Sequence, residues 1–352
     1  MKTTTLLAAA IAPFLLAGCL GDPVEPKIKT AYVAIIVNNG AGRDGSVNYY
    51  FEDDGSIDKT PFNYRINATY RSIQMLNDRL GLVTNDDDAI VSFDIMGRIL
   101  GSPKTDNIET PRFMAATANN IFVSNWGEET GEGEYNSSFV SVFNQYDYSF
   151  RKKLPCGSQP EGVLAYKDRL FVATAAGVEV FNTVSSDFIP ESTITASSLT
   201  GNAKRFVVDT LENVWVSYAN GGLLCFNPAS RAIVHELSGV PVDAETGMIA
   251  VNKNGRKVIS YTNTPEEKVV AIDISTGEQT DLINLSSDAL VAWSYPITAL
   301  GVSPFTGDIF VARTAPNGES TLLVYDETGK AKSETKTGIH TGHITFFGIS
   351  YY

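Results

Sequence analysis

Short apolar segments recur along this chain, and most end in a polar residue that precedes a loop. Apolar runs of this length, bounded by turn residues, are typical of β-strands. Helical periodicity is nearly absent, and the segments 52–57 and 71–76 are predicted as a hairpin and a strand. The pattern therefore predicts an all-β protein.

One apolar segment occurs in seven copies. Neighbouring copies are separated by 40 residues at the least, between positions 83 and 123, and by 52 at the most, between positions 259 and 311. Periods near 40–50 residues with several short strands per unit are typical of β-propellers. The copies are centred on Val37, Val83, Val123, Val172, Val216, Ile259 and Val311.

A second strand follows each copy, and several of these strands end in Asn or Asp with a Gly a few residues later, as in Asp273 and Gly277. This is the chemistry of a tight hairpin turn. Seven copies predict a seven-bladed β-propeller over residues 30–352. The first copy lacks a leading innermost strand, and the segment 342–349 is a spare one. We predict that this C-terminal strand completes the first blade, which would leave no free sheet edge.

The first residues combine Lys2, an apolar run over 6–16 and small residues before Cys19. The run is shorter than the roughly 20 residues that span a bilayer, and it fits a secretory signal. The segment 16–19, Leu-Ala-Gly-Cys, resembles the lipobox of bacterial lipoproteins, which implies cleavage before Cys19 and acylation of its thiol. An ordinary signal peptide with an incidental cysteine is the alternative. We predict a lipoprotein signal peptide over 1–18 and a lipid-anchored tether over 19–29.

Composition narrows the classes of partner. A formal net charge of −13 argues against nucleic acid and against electrostatic docking on anionic lipid. With 43 % hydrophobic residues, the chain can bury a substantial core. An exported protein can form disulfides, but Cys156 lies in a turn and Cys225 in the middle of a strand. We therefore favour two separate thiols over a disulfide.

The segments 157–163 and 167–174 resemble the repeat of bacterial surface-layer and quinoprotein-type propellers. The segments 36–47, 303–310 and 338–344 are similar to Bacteroidota lipoproteins that carry such propellers. Members of that group include surface lipoproteins that capture cobalamin and pass it to a TonB-dependent transporter, and others lie beside glycan-uptake systems. The resemblance implies an outer-membrane, lipid-anchored corrinoid-binding protein that faces the cell exterior. A lipoprotein that binds glycan or another nutrient for an uptake locus is the alternative, and a propeller enzyme is a third.

Candidate ligand-binding residues lie on the loops of one propeller face, because such loops carry function on a rigid scaffold. Aromatic, amide and arginine side chains there suit a large ligand with apolar faces and polar edges. The alternative for any single residue is that it only satisfies a turn backbone. The candidates are Asn39, Arg71, Asn85, Asp87, Arg112, Trp126, Arg205, Tyr218, Tyr261, Trp293, Tyr295, Arg313 and His343.

Catalytic and metal-binding signals are weak. There are only three histidines, and no Gly-x-Ser-x-Gly motif is present. His235 is predicted to be structural on an outer strand, and the pair His340 and His343 lacks a nearby carboxylate or cysteine that would support a metal site. The Glu- and Gly-rich segment 127–134 is predicted as a solvated loop. We expect no cofactor, no metal and no catalytic residue.

Overall fold

The computed structural model describes residues 29–62, 66–76, 79–84, 88–131, 134–264, 266–285 and 295–351. Over these ranges the chain is built of antiparallel β-strands, and no described helix is long and apolar enough to cross a membrane. The strands are β1 (Lys29–Asn38), β2 (Ser46–Phe51), β3 (Ile57–Asp58), β4 (Tyr70–Leu76), β5 (Arg79–Thr84), β6 (Ala89–Phe93), β7 (Pro111–Ala116), β8 (Asn120–Asn125), β9 (Glu128–Gly131), β10 (Glu134–Asn136), β11 (Phe139–Asn144), β12 (Phe150–Pro155), β13 (Val163–Tyr166), β14 (Arg169–Thr174), β15 (Gly177–Asn182), β16 (Pro190–Ile194), β17 (Ala203–Val208), β18 (Val214–Tyr218), β19 (Gly222–Phe226), β20 (Ile233–Ser238), β21 (Ile249–Val251), β22 (Lys257–Thr262), β23 (Lys268–Asp273), β24 (Gln279–Asn284), β25 (Ile297–Val302), β26 (Ile309–Thr314), β27 (Glu319–Tyr325), β28 (Ala331–Ile339) and β29 (Thr341–Tyr351).

Seven sheets form the blades of a β-propeller. Blade 1 has the order β29-β1-β2-β3, blade 2 contains β4 to β6, and blade 3 contains β7, β8, β11 and β12. Blades 4 to 7 contain β13–β16, β17–β20, β21–β24 and β25–β28, each in chain order. The innermost strands β29, β4, β7, β13, β17, β21 and β25 contact one another in sequence around a closed ring. The predicted all-β, seven-bladed fold is confirmed.

The ring is closed by the C-terminal strand, as predicted. β29 pairs antiparallel with β1, with Val33 opposite Phe347 and Ile35 opposite Thr345. Phe347 also packs edge-on against Tyr49 at a centroid distance of 5.4 Å. Blade 1 therefore joins the two ends of the described chain, and β1 has no unpaired inner edge.

The core lies between neighbouring blades because side chains alternate between the two faces of each strand. Ile35 belongs to the buried cluster shared with Leu82 of blade 2. The next residue, Ile36, belongs to the cluster shared with Val311 of blade 7. The apolar repeat thus supplies both faces of each blade, which explains why its strands are almost continuously apolar.

The predicted turn chemistry is also present. The Asp273 carboxylate accepts hydrogen bonds from the backbone N–H groups of Ser275 and Thr276, at 2.8 and 3.1 Å. Gly277 adopts a φ of 74°, in the left-handed region that glycine tolerates. The Asx-to-Gly spacing in the repeat therefore marks the outer hairpin of a blade.

Two local features depart from the simple repeat. The described part of segment 127–134 is exposed at β9, as predicted for a solvated segment, but it begins a hairpin of β9 and β10 where a loop was predicted. Tyr135 of this hairpin packs edge-on against Trp126 at 4.8 Å, which ties the ribbon to blade 3. Blade 2 has three strands, and the bridges Ile90–Lys104 and Phe93–Ile99 stand in place of a fourth.

The described cysteines Cys156 and Cys225 are free, which confirms two separate thiols. His235 lies on β20, the outer strand of blade 5, and its ring stacks on Trp215 at 5.7 Å, as expected for a structural residue. The predicted signal peptide, Cys19 and nearly all of the tether lie outside the described residues and stay predictions.

Candidate ligand-binding site in the funnel

A cavity of about 440 Å³ lies on the propeller axis, at the face where the innermost strands begin. Residues at or next to the start of all seven innermost strands contribute to its wall. We call this cavity and its mouth the funnel. Its wall includes Asn39, Thr69, Arg71, Arg112, Phe113, Glu161, Arg205, Asp243, Glu245, Thr246, Met248, Asn263, Ile297, Thr298 and Thr341.

A buried ion-pair cluster forms one side of the funnel. The Glu161 carboxylate accepts hydrogen bonds from Arg112, from Nη2 at 2.8 Å and from Nε at 3.3 Å. The Lys204 ammonium lies 3.5 Å from the same carboxylate. Burial alone would raise the pKa of Glu161, but the cations of Arg112, Arg205 and Lys204 outweigh it and hold that pKa below its usual range. Glu161 is therefore ionised at neutral pH.

Aromatic rings fix the planes of two guanidinium groups. The central carbon of Arg112 lies 4.0 Å from the centroid of Trp126, and that of Arg205 lies 3.3 Å from the centroid of Phe113. Arg205 Nε also donates to the Thr246 carbonyl at 3.1 Å. Stacking of this kind leaves only the edge of a guanidinium for further hydrogen bonds.

Arg205 and His343 differ in charge although both are half-buried. Burial and the neighbouring Arg112 lower the pKa of Arg205 to about 10, so it remains a cation at neutral pH. Burial and the Arg205 cation lower the pKa of His343 to about 3, so its imidazole is neutral. His343 Nε2 lies 3.2 Å from the Ile73 carbonyl, which accepts from the ring N–H in the matching tautomer.

The part of the funnel wall next to Arg205, at the loop that enters blade 6, is acidic and rich in hydroxyl and amide groups. The Asp243 carboxylate accepts from the Thr246 backbone N–H at 2.9 Å and from the Asn263 amide at 3.1 Å. The Tyr261 hydroxyl lies 2.6 Å from the Thr246 hydroxyl. Glu245 is exposed at the mouth of the cavity. The funnel wall therefore carries groups of both charges: the arginines with Glu161, and next to them the carboxylates Asp243 and Glu245.

Three buried polar atoms at or beside the funnel have no hydrogen-bond partner among the described residues. They are Asn39 Oδ1, Arg71 Nε and Trp126 Nε1. Buried polar groups in native proteins are nearly always paired, and an orphan calls for an explanation such as a ligand. Asn39 and Arg71 belong to the cavity wall itself.

The predicted site residues divide into four groups. Asn39, Arg71, Arg112 and Arg205 line the funnel, whereas Trp126, His343 and Tyr261 contact residues that line it. Tyr218, Tyr295 and Arg313 lie apart from the cavity wall: Tyr218 packs in the core between blades 4 and 5, and Arg313 pairs with the buried Glu267 and donates to the Tyr295 carbonyl. Asn85, Asp87 and Trp293 lie outside the described residues. All ligand-binding roles stay predictions.

Sequence reasoning missed Phe113, Glu161, Asp243 and Thr246 as site residues. Phe113 follows a predicted arginine, and Glu161 occurs in a Gln-Pro-Glu-Gly stretch that has the composition of a turn. Their position in the repeat was the available signal: Phe113 and Glu161 lie at or just before the start of an innermost strand, and Asp243 and Thr246 lie in the loop that enters β21. Among the described residues, no three or more His, Cys, Asp or Glu side chains form a group that could hold a metal ion.

No protein-family model matches this chain, and no curated protein matches it by sequence. Solved structures match its fold. AztD from Citrobacter koseri is 13 % identical with a TM-score of 0.59, over 91 % of this chain and 98 % of its own. A putative 6-phosphogluconolactonase from Bacteroides fragilis is 12 % identical with a TM-score of 0.65, over 90 % and 98 %. A streptogramin B lyase is 10 % identical with a TM-score of 0.59, over 88 % of both chains. At these identities the similarity supports the propeller fold alone.

Proposed function

We propose that this protein is a lipid-anchored binding protein that captures a corrinoid, cobalamin, in the funnel of its propeller. The observation that carries the proposal is the funnel itself, a preformed cavity of about 440 Å³ whose wall contains the unpartnered buried groups of Asn39 and Arg71. Cavities of this size with a few convergent polar groups are typical ligand sites. A ligand that supplies the missing partners would remove the cost of leaving these groups unsatisfied.

A corrinoid suits the chemistry of this wall. Its ring edge carries amide side chains, which both donate and accept hydrogen bonds, and cobalamin also carries one phosphodiester. The acidic side, with Asp243 and Asn263, offers acceptors and an amide, and the side with Arg71 and Arg205 offers cations. Because a corrinoid is larger than the cavity, only one end of it enters the funnel, and the rest lies over the loops at the mouth.

We propose that binding occurs without catalysis. Glu161, the buried carboxylate of the funnel, is ion-paired with Arg112 and has a lowered pKa, which makes it a poor general acid at neutral pH. His343 has its pKa lowered to about 3, which makes it a weak general base. Both groups therefore fit a role in shaping a binding site better than a role in proton transfer.

The cellular part of the proposal rests on the lipobox-like segment that ends in Cys19. Acylated Cys19 would anchor the protein in the outer membrane, facing the exterior, where it would deliver its ligand to a TonB-dependent transporter. Incorporation of labelled palmitate into the wild-type chain and its loss in Cys19→Ala would support the anchor. Resistance of the protein on intact cells to added protease would count against the exterior position.

Glycan binding is the second candidate. Thr246, Asn263 and Thr298 place hydroxyl and amide groups on one side of the cavity, next to Asp243. Carboxylate and amide groups of this kind form hydrogen bonds with sugar hydroxyls. Oligosaccharides that compete for the funnel where cobalamin does not would favour this alternative.

Calorimetric titration of residues 20–352 with cyanocobalamin tests the first candidate. We expect one molecule bound per chain with sub-micromolar affinity. Asn39→Ala should weaken binding, because it removes a group of the funnel wall. The matched control is Asn254→Ala, on the exposed β21–β22 turn at the opposite face of the propeller, which should leave binding unchanged. Absence of heat and of competition at micromolar concentration would refute cobalamin as the ligand.

A further inference from the structure

Three arginines from three different blades converge on one side of the funnel. Arg71 lies in β4 of blade 2, Arg112 in β7 of blade 3 and Arg205 in β17 of blade 5. The chain as a whole has a formal net charge of −13. A local excess of cations in an acidic protein needs a physical reason, because like charges brought together repel one another.

The described residues neutralise this cluster only in part. Glu161 is the one carboxylate that pairs with it in the described part of the chain, and Arg112 and Lys204 both contact Glu161. Neither Arg71 nor Arg205 makes a direct ion pair with a carboxylate of the described residues, although the Arg205 cation helps to lower the pKa of Glu161. The cluster therefore keeps an excess of positive charge after its internal ion pairs are counted.

Arg71 is the clearest sign of a missing partner. Its Nε is buried and donates to no described residue. A buried guanidinium donor without an acceptor is costly, since both its hydration and its hydrogen bond are lost. The cost is removed if an anionic oxygen from a ligand occupies the cavity beside Arg71.

The geometry of Arg205 is preorganised for such an oxygen, whereas Nε and Nη2 of Arg112 already donate to Glu161, which leaves Arg112 to contribute mainly its positive charge. Phe113 and Trp126 hold the guanidinium planes of Arg205 and Arg112 by stacking, at 3.3 and 4.0 Å. The Thr246 carbonyl occupies Nε of Arg205, and no described residue accepts from its terminal nitrogens. A planar guanidinium fixed in this way binds an oxyanion through its edge with little loss of conformational entropy.

We propose that this arginine wall is a subsite for the phosphoryl group of a phosphate ester. The inference deepens the proposed function and rests on it, because it assigns the part of the captured ligand that enters the funnel first. A tetrahedral phosphoryl group presents oxygens in several directions, which suits donors that arrive from two blades, from Arg71 in β4 and Arg205 in β17. The carboxylate side of the funnel, with Asp243 and Glu245, then faces a part of the ligand that carries hydroxyl or amide donors.

The test uses matched probes and the complete propeller. Glucose 6-phosphate and glucose differ only in the phosphoryl group, and inorganic phosphate carries that group alone. We expect glucose 6-phosphate to bind at least about tenfold more tightly than glucose, and inorganic phosphate to compete with it. Sulfate, with the same shape, should also compete, whereas acetate tests whether a carboxylate is accepted equally well and would overturn the phosphoryl assignment if it is.

Variants of Arg71 separate a binding role from a structural one. Arg71→Gln should weaken glucose 6-phosphate binding at least about tenfold. Its thermal midpoint without ligand should be unchanged or higher, because an unsatisfied buried donor has been removed. Arg71→Lys should recover part of the affinity. The matched control is Arg169→Gln, which removes an arginine paired with Glu191 on blade 4, far from the funnel wall, and should leave binding unchanged.

The outcomes for this subsite and for cobalamin capture are separable. If cyanocobalamin binds and neither Arg71→Gln nor added phosphate changes its affinity, the phosphoryl subsite is wrong and the proposed function stands. If glucose 6-phosphate binds through Arg71 and cyanocobalamin does not bind, the subsite stands and the corrinoid is wrong. If no phosphate-bearing probe binds, the subsite is overturned.

Discussion

Replacement of Glu161 by Gln tests the central claim that a buried carboxylate holds the arginine wall together. The side chain keeps its shape and loses its charge. The perturbation leaves Arg112, Arg205 and Lys204 near one another without the carboxylate that pairs with two of them. We expect Glu161→Gln to destabilise the ligand-free protein.

The magnitude follows from burial. The side chains of Glu161 and Arg112 are only 3 % and 9 % exposed, so their ion pair belongs to the buried class. Removing one partner of a buried pair costs about 3–5 kcal/mol, because the remaining charge is left uncompensated. Exposed pairs, in contrast, contribute about 1 kcal/mol or less.

A matched control is available on the outer edge of blade 4. Glu191 also pairs with two arginines, Arg169 and Arg231, each at 3.0 Å, but these are 24 % and 34 % exposed. Glu191→Gln should therefore cost about 1 kcal/mol or less in the free energy of unfolding. Glu161→Gln and Glu191→Gln thus make the same chemical change, the first at a buried carboxylate and the second at a more exposed one.

The effect should depend on pH with a definite sign. The pKa of Glu161 is lowered in the folded protein, so its contribution to stability is fully present above its ordinary value of 4.5. The contribution is lost as the pH falls through the lower, folded-state pKa. The difference between wild type and Glu161→Gln should therefore shrink on acidification below about pH 4.5.

Denaturant titration followed by tryptophan fluorescence measures these differences at pH 7 and at pH 4. A second readout is the response to ligand: phosphate should stabilise Glu161→Gln more than wild type, because it restores a negative charge beside the arginines. A Glu161→Gln protein as stable as Glu191→Gln at pH 7 would refute the buried-cluster reasoning. If phosphate stabilised wild type and Glu161→Gln equally, the ion-pair cluster around Glu161 would have no part in anion binding.

Three further predictions concern the scaffold. His343→Gln should make the free energy of unfolding less sensitive to pH between about 6.5 and 5, because the neutral folded imidazole, with its pKa lowered to about 3, takes up a proton on unfolding; an unchanged slope would contradict the burial of His343. Deletion of the chain after Thr341 removes most of β29 and should abolish cooperative unfolding, since β1 loses its inner partner; a soluble truncation that melts cooperatively would contradict ring closure. Trp215→Phe removes a 2.8 Å hydrogen bond to Asp209 inside the core and should cost about 2–3 kcal/mol without changing ligand affinity, as thermal melts and calorimetry would show.

The fold was predictable because every blade repeats the same local sequence pattern of apolar strands and turn residues. The apolar segment around Val172 and the one around Val311 each pair with strands a few residues away, and each hairpin ends in turn chemistry such as Asp273 and Gly277. Closure of the ring required only that the first strand, β1, pair with the last strand, β29, which has no partner in its own repeat. The spacing of the repeats, their number and the missing innermost strand of the first repeat were therefore sufficient to predict the fold.

The candidate site was only partly predictable because its contacts cross between blades. Glu161 and Arg112 are 49 residues apart, and His343 and Ile73 are 270 apart. The sequence indicates that both ends of such a pair lie near the funnel face. It does not indicate which arginine is neutralised, as Arg313 is by Glu267, and which is left facing the cavity, as Arg71 is.

The net charge of the whole chain also differs from the local charge of the funnel. The value of −13 argues against large anionic partners such as nucleic acid, whose approach is controlled by the field of the whole surface. Over distances greater than about 8–10 Å, salt screens that field. A small anion in the proposed subsite would instead interact with Arg71, Arg112 and Arg205 of the cavity wall over much shorter distances, where screening by salt is weak. An acidic surface and the proposed anion subsite are therefore compatible, and together they would favour small anions over polyanions.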